Sequence, residues 1–150
     1  MSEEIGVATG DGYTLVSEGE WAGWHVWHGD PFEDRNGPFY AKFAPEPVCA
    51  FRAEPRHMNG AGFMHGGCLL TFADSALFAI ARAHLLGSMA VTLNLAGDFL
   101  TSGHVGELIE ARGEVTHAGK STLFVRGLAT ADGRPVLSFT GIVRKLGKRA

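Results

Sequence analysis

Residues 66–86 restrict the fold more than any other stretch of this sequence. Gly66-Gly67 opens the run, Gly87 closes it, and no proline lies between, so the segment reads as one helix. Its apolar residues, among them Leu69, Phe72, Ala73, Leu77, Phe78 and Ile80, occupy every face rather than a single stripe. A helix that is apolar all round has to be buried. At ~1.5 Å per residue it is about 30 Å long, enough to cross a small domain.

The cover for this helix comes from the C-terminal half of the chain. From Met89 onward the apolar period changes to two: Val91, Leu93 and Leu95 alternate with Thr92, Asn94 and Ala96, and Ile109 to Thr116 alternate in the same way. Two further strands are expected at about 121–129 and 135–146, joined at Asp132-Gly133, a strong hairpin signal. Turns at Gly103 to Gly106 and Gly119-Lys120 separate the rest. One long buried helix followed by four antiparallel strands in meander order predicts an α+β fold in which a curved antiparallel sheet wraps around the central helix. Upstream, a short strand is expected from Val48 to Ala53, ended by Pro55.

The first part of the chain is different in character. Residues 1–20 are polar, acidic and glycine-dotted, which predicts loose attachment. Trp21, Trp24, Trp27, Phe32, Phe39 and Tyr40 come next, punctuated by Gly29-Asp30-Pro31 and Asn36-Gly37-Pro38, and read as turns and short elements covering something apolar. We divide the chain into an acidic, aromatic extension over 1–37 and a single domain over 38–150. A length of 150 residues suits one domain with a fully built core.

Only 19% of the residues are charged, against ~25% in ordinary domains, so part of the outer surface is expected to be covered by a second subunit or an apolar ligand. The net charge of -3 argues against a broadly basic nucleic-acid binder. Its distribution is uneven, with ten acids and four bases in residues 1–65 and six acids and nine bases in residues 66–150. A phosphate-bearing partner is expected to meet the second half. Two cysteines make no disulfide framework, Met1-Ser2-Glu3-Glu4 lacks the pattern of a secretion signal, and no uninterrupted apolar run reaches the ~18 residues of a membrane span. These features predict a cytoplasmic protein that does not engage a membrane.

Asp74 is the residue that needs explaining. It stands in the middle of the apolar helix, among Leu70, Ala73, Leu77 and Phe78, and is the only acid between Glu54 and Asp98. A carboxylate in such company is either hydrogen-bonded for structure or set in a cleft for chemistry. Nine residues earlier, His65-Gly66-Gly67 marks the helix N-terminus, where free N–H groups and the positive dipole end suit an oxyanion. A histidine capping the helix is the ordinary alternative for His65, and a turn role is the ordinary alternative for Asn59, which leads with Gly60 and Gly62 into the same bend.

Other chemistries fit poorly. His-Gly-Gly occurs in lipase and esterase oxyanion loops, but the Gly-x-Ser-x-Gly elbow is missing. Gly119-Lys120-Ser121 resembles the end of a phosphate loop, yet Glu114 stands where its first glycine belongs. Cys68 sits among leucines, as core cysteines do. The seven histidines show no ligand spacing, so no metal is expected.

Asn59-x-x-Gly62-x-x-His65-Gly66-Gly67, together with Phe72-Ala73-Asp74-Ser75-Ala76, resembles the hotdog-fold acyl-CoA thioesterases of the phenylacetate-pathway and thioesterase-superfamily-2 type. The resemblance runs on through Thr92-Leu93-Asn94-Leu95, Asp98-Phe99-Leu100, Gly119-Lys120 and Asp132-Gly133, and covers roughly residues 38–146. It implies a hotdog fold and hydrolysis of an acyl- or aryl-CoA thioester, with coenzyme A as part of the substrate and no separate cofactor. In that comparison Asp74 is the catalytic carboxylate, as general base or nucleophile, and the Gly66 N–H polarises the carbonyl. His65 holds the loop, Asn59 orients water or carbonyl, and the Thr92 hydroxyl helps position water. Gly67, Gly119, Lys120 and Ser121 match substrate contacts, the last three on coenzyme A. The resemblance also implies a homodimer, or a homotetramer built as a dimer of dimers, with Asp74 facing Asn59 and Gly66 of the partner. A non-catalytic acyl-CoA sensor on the same fold is the alternative, and an enoyl-CoA hydratase is disfavoured by the Asn59/His65/Asp74 spacing.

Overall fold

The structure is a computed structural model that describes residues 12–85 and 87–148. Its strands are β1 (Tyr13–Leu15), β2 (His25–Trp27), β3 (Tyr40–Lys42), β4 (Val48–Arg52), β5 (Ser88–Phe99), β6 (Leu108–Ala118), β7 (Thr122–Ala131) and β8 (Arg134–Lys148). All join one antiparallel sheet in the order β1-β2-β3-β4-β6-β7-β8-β5. The helices are α1 (Pro31–Asn36) and α2 (Gly66–Leu85). The sheet curls around α2, which packs against β4 through β8, as the sequence predicts.

Burial of α2 organises the core. Leu69, Phe72, Ala73, Ala76, Leu77 and Ile80 turn inward, and Phe72 meets the rings of Phe39 and Phe51 edge-on at 5.3 and 4.9 Å. The helix is less enclosed than its composition predicts, because Leu70, Asp74, Ser75 and Phe78 are only half-buried. Those residues form the strip on which the site is built. Close approach of helix and sheet depends on Gly141 in β8: a Cβ there would run into the Leu77 side chain.

The expected meander holds only in part. β6, β7 and β8 are successive neighbours, with Asp132 and Gly133 at φ 47 and 86 making the tight turn between β7 and β8. β5, which precedes them in sequence, lies instead beyond β8 at the sheet edge, registered Thr92↔Val143 and Leu95↔Gly141. The place beside β6 that a meander would give it is taken by β4, registered Phe51↔Ile109.

The expected loose attachment of residues 1–20 falls, for residues 1–11, outside the described residues. From Tyr13 it does not hold. β1 pairs with β2, and the buried Tyr13 ring sits edge-on to Trp27 and Phe43 at 5.3 and 5.0 Å. The short elements read from the aromatic stretch are β2, α1 and β3. α1 starts where the Asp30 carboxylate accepts the N–H groups of Phe32 and Glu33, with Pro31 in its first turn. Trp21 stacks on Tyr40 at 4.3 Å and Trp24 meets Trp21 edge-on, so these two tryptophans pack the sheet.

Gly141→Ala forces Leu77 off its seat in an otherwise filled core. A loss of about 1–3 kcal/mol in chemical denaturation is the expected cost of that overpacking. An unchanged midpoint would show that the helix is not held this closely to β8.

Candidate active site

The N-terminus of α2 is built by His65. Its carbonyl accepts from Cys68 and Leu69, and its ring Nδ1 accepts the Gly67 N–H at 2.9 Å. The ring thus caps the helix and takes up the Gly67 donor. The N–H of Gly66 finds no acceptor among the described residues, and the ring of Phe99 lies 3.3 Å from where a Gly66 Cβ would stand. The end of α2 therefore offers one free backbone donor beside an aromatic ring.

Asn59 shapes the loop before it. Its Oδ1 accepts the N–H groups of Ala61 at 2.9 Å and Phe63 at 3.1 Å, which is the turn role expected of an asparagine. With that oxygen engaged, what the side chain has left to offer is its amide N–H groups.

Two turns along the helix, Asp74 and Thr92 come together. The Thr92 hydroxyl donates to Asp74 Oδ1 at 2.6 Å, a short charge-assisted bond between the middle of α2 and β5. Ser88, Ala90 and Thr92 share the inward face of β5, while Met89, Val91 and Leu93 point outward at 48, 41 and 55% exposure. Period two on this strand is what carries Thr92 to the helix.

The predicted residues do not all meet within one chain. Gly66 and Asp74 lie on one helix, eight residues and about 12 Å apart along its axis, too far to act on one carbonyl carbon. Gly119, Lys120 and Ser121 occupy the β6–β7 turn, where the Gly119 N–H donates to Thr122 O at 2.7 Å and Lys120 is exposed. Arg144 is registered with Thr122, and the Lys145 N–H donates to Ser121 O at 2.7 Å, so this end of the sheet gathers three cations. These are three of the nine bases in the second half of the sequence, and the Lys145 ammonium reaches back to His84 O at 3.5 Å.

A cavity of about 360 Å³ opens beside the Asp74–Thr92 pair. Ser75, Phe78 and Arg82 of α2 line one side, Ser88 to Ala90 of β5 a second, and Tyr13, Trp27 and Glu33 a third. Sequence reasoning assigned no role to Glu33 or Ser75. Glu33 reads in the sequence only as an acid in the first turn of a capped helix, and nothing local shows that β1 and β2 fold its helix against α2.

Burial pushes the Cys68 thiol up to about 11, which leaves it a protonated core group rather than a nucleophile. Among the described residues no three His, Cys, Asp or Glu side chains are grouped to hold a metal ion.

The thioesterase superfamily model matches residues 61–138, from the loop before α2 into β8. Solved structures share the architecture. A single-residue variant of the phenylacetic acid degradation protein PaaI from Thermus thermophilus is 30% identical, with a TM-score of 0.68 over 78% of this chain and 100% of that one. The PaaI protein of the E. coli phenylacetic acid degradation operon is 27% identical, with a TM-score of 0.69 over 80% of this chain and 87% of that one. A hypothetical thioesterase from Streptococcus pneumoniae, crystallised with coenzyme A, is 27% identical, with a TM-score of 0.63 over 69% of this chain and 80% of that one. No curated protein matches the sequence. The family match over more than half of the chain, on a curled sheet around one long helix shared with these structures, makes this protein a hotdog-fold thioester hydrolase of the thioesterase superfamily.

Proposed function

We propose that the protein hydrolyses an acyl- or aryl-CoA thioester to the free acid and coenzyme A, with Asp74 as general base. The observation that carries this is the Thr92–Asp74 hydrogen bond of 2.6 Å, which holds one carboxylate oxygen and leaves the other to take a proton from water. Water adds to the thioester carbon, and Asp74 accepts its proton. Collapse of the tetrahedral intermediate breaks the C–S bond, and the proton passes to the departing thiolate. Water and groups of the chain itself account for every atom of the reaction.

The carbonyl oxygen is taken by the Gly66 N–H, the free donor at the positive end of α2, with the Asn59 amide beside the same loop. His65 acts on this donor indirectly, by capping the helix and holding its first turn. Because Gly66 and Asp74 lie about 12 Å apart on one helix, the working site takes Asp74 and Thr92 from one protomer and Asn59 and Gly66 from its partner. The free edge of β5, with Val91 and Leu93 exposed, is where two sheets join in this homodimer. Lys120, with Arg144 behind the Gly119–Ser121 turn, receives the phosphates of coenzyme A. A relative crystallised with coenzyme A supports this choice of thiol.

Two experiments test the scheme. Asp74→Asn should lower kcat for coenzyme A release by about 100-fold or more, and Thr92→Val by about tenfold. In a single wild-type turnover in oxygen-18 water, the released acid should carry one labelled oxygen; an unlabelled first-turnover acid would assign Asp74 as nucleophile.

The second concerns the two-chain site. Gly66→Pro removes the donor while keeping a residue suited to the first helical position, and should cost about 100-fold in kcat. Hybrids of Gly66→Pro and Asp74→Asn protomers should regain about a quarter of wild-type activity, because random pairing leaves one intact site in half of the dimers. Hybrids as inactive as their parents would place the whole site in one chain.

A further inference from the structure

The cavity beside Asp74 has an unexpected wall. Asp74 and Thr92 do not themselves line the cavity, but their neighbours do: Ser75 follows Asp74, Phe78 lies one helical turn beyond it, and Ala90 shares the inward face of β5 with Thr92. At about 360 Å³ it falls in the range of small-molecule pockets. Its apolar side chains are Tyr13, Trp27, Phe78, Leu85 and Ala90. Set into that lining is the half-buried Glu33, with Ser75 of α2 lining the same cavity. Hydrocarbon alone does not explain a carboxyl placed there.

We propose that this cavity receives the acyl portion of the thioester, and that Glu33, in its wall, is a specificity-determining donor that selects acyl groups carrying a neutral oxygen acceptor over plain hydrocarbon. The inference rests on the thioesterase scheme above. It concerns a residue outside the 61–138 stretch that matches the family.

The chemistry of the station derives from its neighbours. Burial pushes the Glu33 carboxyl up to about 7, with the nearby charges of Asp30, Asp34 and Asp74 acting in the same direction and the Ser75 hydroxyl opposing them. Below that pH Glu33 is a neutral acid. A neutral acid offers a ligand its own hydrogen, and that hydrogen requires an oxygen that accepts. Above pH 7 the ionised carboxylate has no hydrogen to donate and faces the ligand oxygen with like polarity. The other polar groups around the cavity are Asp30 at the start of α1, Tyr13 on β1, Ser75 and Arg82 on α2 and Ser88 on β5, Arg82 with its guanidinium 3.9 Å over the Phe43 ring; Cys49 of β4, near enough to feel the Glu33 charge, is a neutral buried thiol.

The station is held firmly. His57 Nε2 donates to Asn36 O at 2.8 Å, while Arg56 donates to Arg35 O at 2.6 Å and also to Gly37 O. These bonds tie the C-terminal end of α1 to the segment leading into α2. Glu33 is therefore fixed relative to Asp74 rather than carried on a loose arm.

The test compares hexanoyl-CoA with 5-oxohexanoyl-CoA, which differ by one acceptor oxygen. At pH 6.5 the wild type should favour the oxo substrate in kcat/KM by about fivefold, the worth of one ordinary hydrogen bond. That preference should fall away as the pH rises through 7. Glu33→Gln, whose amide donates at every pH, should keep the preference and make it flat from pH 6 to 8; Glu33→Leu should abolish it. Dissociation constants of both thioesters on Asp74→Asn give the same ratio without turnover, so a failure of hydrolysis and a failure of selection are seen separately. Equal treatment of the two thioesters by the wild type, or a preference that survives Glu33→Leu, would overturn the inference.

Discussion

The burial of α2 against the curled sheet is the interaction on which the rest of the molecule depends. An apolar helix of this length can be hidden only by a surface that bends around it, and the long strands β5 to β8 supply that surface. The fit is tightest where Leu77 occupies the space above Gly141, and it is completed by the Phe39, Phe51 and Phe72 ring cluster. Phe72, Ala73, Ala76 and Leu77 face the core, so the neighbouring turn positions, Asp74, Ser75 and Phe78, are left on the strip the sheet does not close over. Packing thereby decides where a carboxylate can sit on this helix without being sealed in apolar surroundings.

That geometry also explains why one chain holds separated pieces of chemistry. A helix N-terminus and a carboxylate two turns along the same helix cannot converge, since the rise per residue keeps them apart. In the proposed dimer the two are reconciled by the open edge of β5, which carries Thr92 on one face and exposed Val91 and Leu93 on the other. Inward residues serve the carboxylate and outward residues leave apolar surface for a second copy. In that proposed dimer the low charged fraction of the sequence acquires a location, and of the bases of the second half Lys120 and Arg144 stand at the β6–β7 end of the sheet.

The parts of the fold legible in the sequence were those governed by short-range rules. The change of period from all-round apolar to alternating located α2 and the four long strands, and Asp132-Gly133 marked its hairpin because few other pairs tolerate positive φ at both positions. Of the candidate site, the pairing of Asp74 with Thr92 was legible through family resemblance alone, because eighteen residues and a change of element lie between them. Strand order was not legible: β5 and β8 both alternate, and nothing within either strand says that they pair. Nor was the role of Tyr13, which the acidic and glycine-dotted composition around it disguised as tail.

The sequence by itself determined the buried helix, the alternating strands, the isolated acid at Asp74 and the glycine-opened helix start at Gly66, since each arises from side-chain chemistry and local backbone freedom. The tertiary structure alone decided which of these meet. It gave Asp74 the Thr92 hydroxyl as its partner, turned the His65 ring into a cap, and folded Glu33 into the wall of a cavity that no local pattern foretells, because contacts between distant elements depend on how the whole sheet curls around α2.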